Sequence, residues 1–227
     1  MTKLFKKPWT LIIVTALLLA ARGSFADRHA EDPQHKSAEN GASPMEIIQV
    51  NTDQVLEIFR DPELQGEDKK EERLEKVRAV AQRIFDWNEV GKRVLGRHWW
   101  DRSKEEREEF LDLFQRLLEN TYLERIRQNS DATVKYEELN IEDEYASVSV
   151  MAVARDGTEV PIVYRLHRLN NKEQKARGTE HEWLVYDVKV EGVSLVGNYR
   201  SQFNDIIIGS GYQRLIRKLR AKVENKD

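Results

Sequence analysis

The chain has 227 residues, 40% hydrophobic and 34% charged, with a formal net charge of −3 and no cysteine. That length suits one folded domain, and the missing cysteines exclude a disulfide framework, a thiol nucleophile and a lipoprotein anchor. A slightly acidic balance excludes a broad electrostatic hold on nucleic acid or anionic headgroups and leaves room only for local basic patches.

Residues 1–26 read as a signal peptide. Lys3, Lys6 and Lys7 form a basic start, an apolar stretch follows, and Ser24-Phe25-Ala26 makes a small-x-small cleavage site. The apolar stretch is about a dozen residues, against roughly 20 for a spanning helix, so cleavage after Ala26 and a periplasmic mature protein are expected. Cleavage removes Lys3, Lys6, Lys7 and Arg22 and no acidic residue, which moves the net charge from −3 to −7. Residues 27–43 are polar and aperiodic, and read as a disordered lead. His29 and His35 fall in that lead and read as solvated side chains, not metal ligands.

A single domain is expected over residues 44–224, with a tail at 225–227. Ile47, Ile48, Val55, Leu56 and Phe59 form the buried side of one or two short helical turns that stop at Asp61-Pro62. Residues 69–85 follow as a helix with Leu74, Val77, Ala81 and Ile84 on one stripe and mixed charges opposite. Residues 86–100 are less regular and hold Trp87, Trp99 and Trp100 close to Arg93, Arg97 and His98. These indoles suit either core anchors or the mouth of a cavity, where one side is apolar and the other wet. Ser103 and Glu106 form a capping box for the next helix, whose apolar side is Phe110, Phe114, Leu117, Leu118 and Tyr122.

Beyond residue 130 the period changes to two. Strands are expected over 133–141, 146–155, 159–169 and 182–191, with a hairpin turn at Asp156-Gly157 and a charged, mobile loop over 170–179. The apolar face then consists of Val148, Val150, Ala152 and Ala154, then Val160, Ile162, Tyr164 and Leu166, then Leu184, Tyr186, Val188 and Val190. Gly192 frees a turn, Ser194 caps a helix bearing Val196, Tyr199, Phe203, Ile206 and Ile207 on one face, and Gly209 and Gly211 end it. A last helix sets Leu215, Ile216, Leu219 and Val223 against Arg214, Arg217, Lys218, Arg220 and Lys222. Those cations complement the helix dipole or serve as a docking patch. The fold class is α+β, with helices packed on one face of a four-stranded antiparallel meander sheet.

No motif for catalysis is present. There is no GxSxG, HExxH or Walker loop, and His98, His167 and His181 are scattered, so an enzyme is not expected. Periodicity does not distinguish a solid core from a cavity between the layers.

Two runs carry a family resemblance. FDWNEVGKRVLGRHWW, followed by SKEEREEFLDLF, spans residues 85–114; EGVSLVGNYRSQF, followed without a full turn's break by IIIGSGYQRLIRKL, spans 191–219. In order and separation they resemble the MlaC-type periplasmic phospholipid-binding proteins, also called the toluene-tolerance family. The resemblance implies a lipid cavity between the layers and a carrier of phospholipid between the outer membrane and an inner-membrane Mla-type ABC transporter complex, maintaining outer-membrane lipid asymmetry. It also implies an outer-membrane lipoprotein–porin partner complex, and no cofactor, metal or ATP in this chain. A monomer that binds no nucleic acid is expected. Chosen by face, the lipid contacts are Phe114, Tyr122, Val150, Ile162, Tyr164, Tyr186, Val188, Tyr199 and Phe203. Headgroup or mouth residues are Arg93, Arg97, Trp99, Arg165 and Arg200, and partner docking falls to Arg217 and Lys218. Two alternatives remain open: a carrier of another apolar lipid such as a hopanoid, and a non-lipid periplasmic interaction protein with a solid core.

Overall fold

The computed structural model describes residues 42–128, 130–131, 133–177 and 182–224. The expected signal peptide and its cleavage site, nearly all of the polar lead with His29 and His35, His181 and the tail at 225–227 lie outside the described residues.

Helix α1 (Pro44–Arg60) starts at a capping box in which Ser43 Oγ accepts from the Glu46 N–H at 3.2 Å and Glu46 accepts from the Ser43 N–H at 2.7 Å. It runs for 17 residues as one helix, longer than the short turns expected. The apolar pattern is interrupted by Asn51 and Thr52, yet both are buried, and Asn51 Nδ2 donates to the Ile47 carbonyl one turn back at 2.8 Å. Helix α2 (Lys70–Ile84) follows. Helix α3 (Trp87–Leu95) begins where Asp86 accepts from the Glu89 N–H at 3.0 Å and stops at Gly96, whose φ of 55° is open to glycine. Helix α4 (Lys104–Gln128) opens on the Ser103–Glu106 capping box.

Strands β1 (Thr133–Glu142), β2 (Tyr145–Val153), β3 (Glu159–Arg168) and β4 (Trp183–Val190) pair antiparallel in sequence order, and a two-residue β5 (Val193–Ser194) makes the sheet five-stranded. β5 escapes sequence reading because Glu191 and Gly192, at φ 49° and 80°, turn the chain so tightly that only two residues pair before the next helix. Where a loop was expected over 170–179, a short helix α5 (Asn171–Arg177) stands, capped by Asn170 Oδ1, which accepts from the Lys172 and Glu173 N–H groups at 3.0 Å. Helix α6 (Leu195–Ser210) contains Gly209 and ends at Gly211, φ 79°, before α7 (Tyr212–Glu224).

One register change corrects the expected face of β4. Between Arg165 and Leu166 the β3–β4 pairing skips from Asp187 to Val185, so Tyr186 is the extra residue of a bulge. The bulge inverts the alternation: Trp183 and Val185 join Val188 and Val190 in the sheet core, whereas Leu184 and Tyr186 do not. Residues of both parities of β4 are therefore buried, Asp187 among them, and only Lys189 is half-buried.

Two cores result. In the first, the inward residues of β2 and β3 pack under α1 and α2 through Ile48, Val55, Leu56, Val77 and Val80. In the second, α3, α4, α6 and α7 pack on one another around Phe110, Phe114, Phe203, Leu215 and Ile216. Helix α4 links them: Phe114 and Leu117 sit in the helical core, while Ile126 reaches the sheet core.

Candidate functional site: an apolar cavity between two cores

A cavity of about 160 Å³ lies where the two cores meet. Helix α2 contributes Val77 and Ala81, α4 contributes Phe114, Leu118, Tyr122, Leu123 and Ile126, and β4 contributes Tyr186, Val188 and Val190. Phe85 and Trp87 come from the α2–α3 junction, and Leu195 and Val196 from the start of α6. Almost every atom it presents is carbon.

Polar side chains gather on one side, along the seam between α2 and α4. Arg78 donates through Nε and Nη2 to the two carboxylate oxygens of Glu119 at 2.8 and 2.7 Å, and Gln82 Nε2 donates to Gln115 Oε1 at 2.6 Å. All four residues line the cavity. Arg78 and Gln82 are one turn apart on α2, and Gln115 and Glu119 one turn apart on α4, so the pairs form two rungs of a ladder. The Glu119 hydrogen bond raises the guanidinium pKa of Arg78, further securing its charge.

The inner end is closed by Asp187. Its carboxylate is buried and accepts from Ser194 Oγ at 2.7 Å and the Val196 N–H at 3.1 Å, tying β4 to the first turn of α6. Ser194 Oγ in turn accepts from the Gly197 N–H, the N-cap role expected of it.

Behind Tyr186 lies a second, polar hollow of about 410 Å³, bordered by Arg93, Asn140, Glu142, Tyr145, Ser147 and Arg165. Tyr186 borders both spaces. The Arg93 guanidinium lies 4.1 Å and that of Arg165 5.3 Å from the centre of its ring. Burial pushes the Tyr186 hydroxyl up despite both cations.

Of the lipid contacts expected by face, Phe114, Tyr122, Tyr186 and Val188 border the cavity. Val150, Ile162 and Tyr164 are packed in the sheet core, where burial pushes the Tyr164 hydroxyl up to about 12. Tyr199 and Phe203 are packed in the helical core, Tyr199 edge-on to Phe114 at 5.1 Å. Among the expected mouth residues, Arg93 and Arg165 meet at Tyr186. The others lie elsewhere: Trp99 is buried in the helical core under Arg107, Arg97 is exposed, and Arg200 lies across Gly96. Arg217 is exposed and Lys218 half-buried on α7. Sequence reading missed Arg78, Gln82, Gln115 and Glu119, whose signal is two polar pairs at four-residue spacing beside apolar stripes on separate helices.

The described histidines, His98 and His167, make no hydrolase-like set. His98 Nε2 bonds Asn204 Oδ1 at 3.1 Å. His167 Nε2 lies 3.0 Å from Asp86 Oδ2, and the third member is Arg177 at 2.8 Å, a cation and not a nucleophile. Burial pushes the Asp86 carboxyl up, but hydrogen bonds from His167, Arg177 and the Glu89 N–H outweigh it and hold the group well below the usual carboxylate range. Among the described residues no helix is long and apolar enough to cross a membrane, and no group of three or more side chains is placed to hold a metal ion.

The fold has solved counterparts. A phospholipid-binding protein from Ralstonia solanacearum, solved in complex with a phospholipid, superposes with a TM-score of 0.71 at 24% identity, covering 82% of this chain and 99% of that one. The intermembrane phospholipid transport system binding protein MlaC of Haemophilus influenzae is 27% identical over 133 residues, 57% of this chain and 58% of that protein, so the matched part spans less than two thirds of its length. A model described as "MlaC protein" matches residues 49–221, from within α1 to within α7, and the chain belongs to the MlaC family.

Proposed function

We propose that this chain is a periplasmic carrier that encloses the acyl chains of a phospholipid and shuttles it between the outer membrane and an inner-membrane ABC transporter of the Mla type. Family membership supports this, as do the names of the two relatives, one a phospholipid-binding protein and the other a component of intermembrane phospholipid transport. The single observation that carries it is the apolar cavity with a polar ladder on one side.

The physical need is large. Each methylene moved from bilayer to water costs about 0.8 kcal/mol, so some thirty of them in two acyl chains cost roughly 24 kcal/mol. A carrier offsets this by supplying apolar walls to the tails while leaving the headgroup in water. At about 160 Å³ the cavity is well below the roughly 300 Å³ at which small-molecule pockets begin, so two chains enter only as α2 and α4 part. The seam is suited to that: it is bridged by long polar side chains, and the backbones of the two helices make little direct contact. In this reading Arg78 stands nearest the phosphate, and Arg93 and Arg165 hold the polar hollow beyond Tyr186.

The chain acts without catalysis or a cofactor, its cargo being phospholipid. It docks with an outer-membrane lipoprotein–porin complex at one end of its route and the transporter complex at the other, with Arg217 and Lys218 on the docking face. The signal peptide directs secretion across the inner membrane and is cleaved after Ala26. Native mass spectrometry of protein purified from periplasm without detergent, followed by lipid extraction, tests the reading. Two-tailed phospholipids of mixed headgroup are expected. A single polycyclic lipid would change the cargo, and a protein that stays empty after incubation with vesicles would refute the carrier.

A further inference from the structure

Trp87 lines the cavity, its indole stacked on Phe85 with ring centroids 5.2 Å apart. Its Nε1–H is buried and, alone among the buried side-chain nitrogen and oxygen atoms of the described residues, has no hydrogen-bond partner. Such a group costs free energy that a phenyl ring in the same place would not. Neither carboxylate on the cavity wall reaches it: Asp187 is turned to Ser194 and the Val196 N–H, and Glu119 to Arg78. An indole N–H donates and never accepts, so what completes it is an acceptor that arrives with the occupant of the cavity.

We infer that Trp87 is a specificity-determining residue for acyl-ester lipids, its Nε1–H donating to an ester carbonyl of the bound molecule. This rests on the carrier reading and adds to it the chemical linkage the site selects. A phospholipid offers acceptors at two depths. The phosphate is charged, and its place is the Arg78 side, where water still reaches it. The ester carbonyls are neutral and lie directly at the head of the tails, so they alone follow the chains between apolar walls. Dialkyl ether lipids keep only the weaker ether oxygen, set in line with the chain and not projecting from it as the carbonyl does, and polycyclic hydrocarbons lack any acceptor at this position; neither pairs the indole as an ester does. Tail burial supplies affinity for any long chain, whereas this one donor separates esters from molecules of equal apolar area.

The test uses the purified protein stripped of lipid, with diacyl and dialkyl phosphatidylglycerol of equal chain length as competing ligands. The wild type is expected to prefer the diacyl lipid by about tenfold, the effect of one buried hydrogen bond. In Trp87→Phe the ratio falls to about one; any loss from the smaller ring falls on both lipids and cancels. The indole N–H resonance assigned to Trp87 moves downfield with the diacyl lipid and not with the dialkyl one. Equal affinities in the wild type, or a preference that survives in Trp87→Phe, overturn the inference. So does an equal weakening of both lipids from an unchanged wild-type ratio near one, which would assign the donor to phosphate. Binding of neither lipid overturns the carrier reading itself.

Discussion

The ladder between α2 and α4 sets a rate. Arg78 and Glu119 make a two-point bridge, but their side chains are 37% and 18% exposed, so solvent screening holds it to about 1 kcal/mol, against the roughly 4 kcal/mol of an unscreened pair at close range. The Gln82–Gln115 bond adds about 1 kcal/mol. Both rungs break when the seam opens and reform when it closes, whether or not a lipid lies beneath. Glu119→Gln therefore lowers the barrier to entry and exit together. The expected result is about a fivefold faster transfer of a fluorescent phospholipid from protein to acceptor vesicles by stopped flow, with the dissociation constant nearly unchanged. Adding Gln115→Ala brings the acceleration to roughly thirtyfold. Salt accelerates release in the wild type and hardly affects Glu119→Gln, since the screened pair is gone. Unchanged transfer rates in the double variant would refute the seam as the route, and faster exit without faster entry would show that the ladder forms only over bound lipid.

Other perturbations separate cavity from core. Leu118→Trp, which fills the cavity from α4, is expected to abolish lipid co-purification with a near-normal melting curve, while Val150→Trp in the sheet core costs about 1–3 kcal/mol in denaturant titration. Asp187→Ala removes an acceptor that serves both Ser194 and the Val196 N–H and is expected to cost about 2 kcal/mol, read by chemical unfolding. Asp86→Asn is expected to cost about 3 kcal/mol at neutral pH by breaking a buried cluster. Because the folded-state pKa of Asp86 is depressed, its stabilisation is fully present above the unfolded value near 3.9 and is lost as pH falls through the folded value. The stability gap between wild type and Asp86→Asn therefore closes only below about pH 4, and a gap that closes at a higher pH would refute the assignment to the Asp86 carboxylate.

Local order was legible wherever a short-range signal decides it. The Ser103–Glu106 box, the Ser194 cap, the break at Gly211 and the four long strands follow from residues within a turn or a hairpin of one another. The face of β4 was not, because a bulge leaves no mark in the apolar run from Trp183 to Tyr186: those residues fit either parity, and the choice is made by Asp187, which reaches Ser194 and the start of α6. The cavity was half legible. Phe114, Tyr122, Tyr186 and Val188 have the right composition for it, but so do Val150, Ile162 and Tyr164, and only the tertiary placement of α1 over the sheet assigns those three to solid core. The ladder joins residues 33 and 41 positions apart and has no local pattern across that distance.

The place of the cavity follows from there being two cores. The sheet core is closed by α1 and α2, and the helical core by α3, α6 and α7, with the cavity at the seam between them. Helix α4 belongs to both, Phe114 and Leu117 to one and Ile126 to the other, while Leu195 at the start of α6 packs against the sheet core and Phe85 against both. Parting α2 from α4 therefore breaks two polar rungs and exposes apolar wall, and an entering acyl chain covers that wall again. In a single continuous core the same opening would disrupt interlocked side chains, at the several kcal/mol that core disruption costs. The wall that opens is shared, since Val77, Ile126 and Val188 line the cavity and also belong to the sheet core and Phe114 to the helical core, so opening costs part of that packing until an acyl chain takes its place.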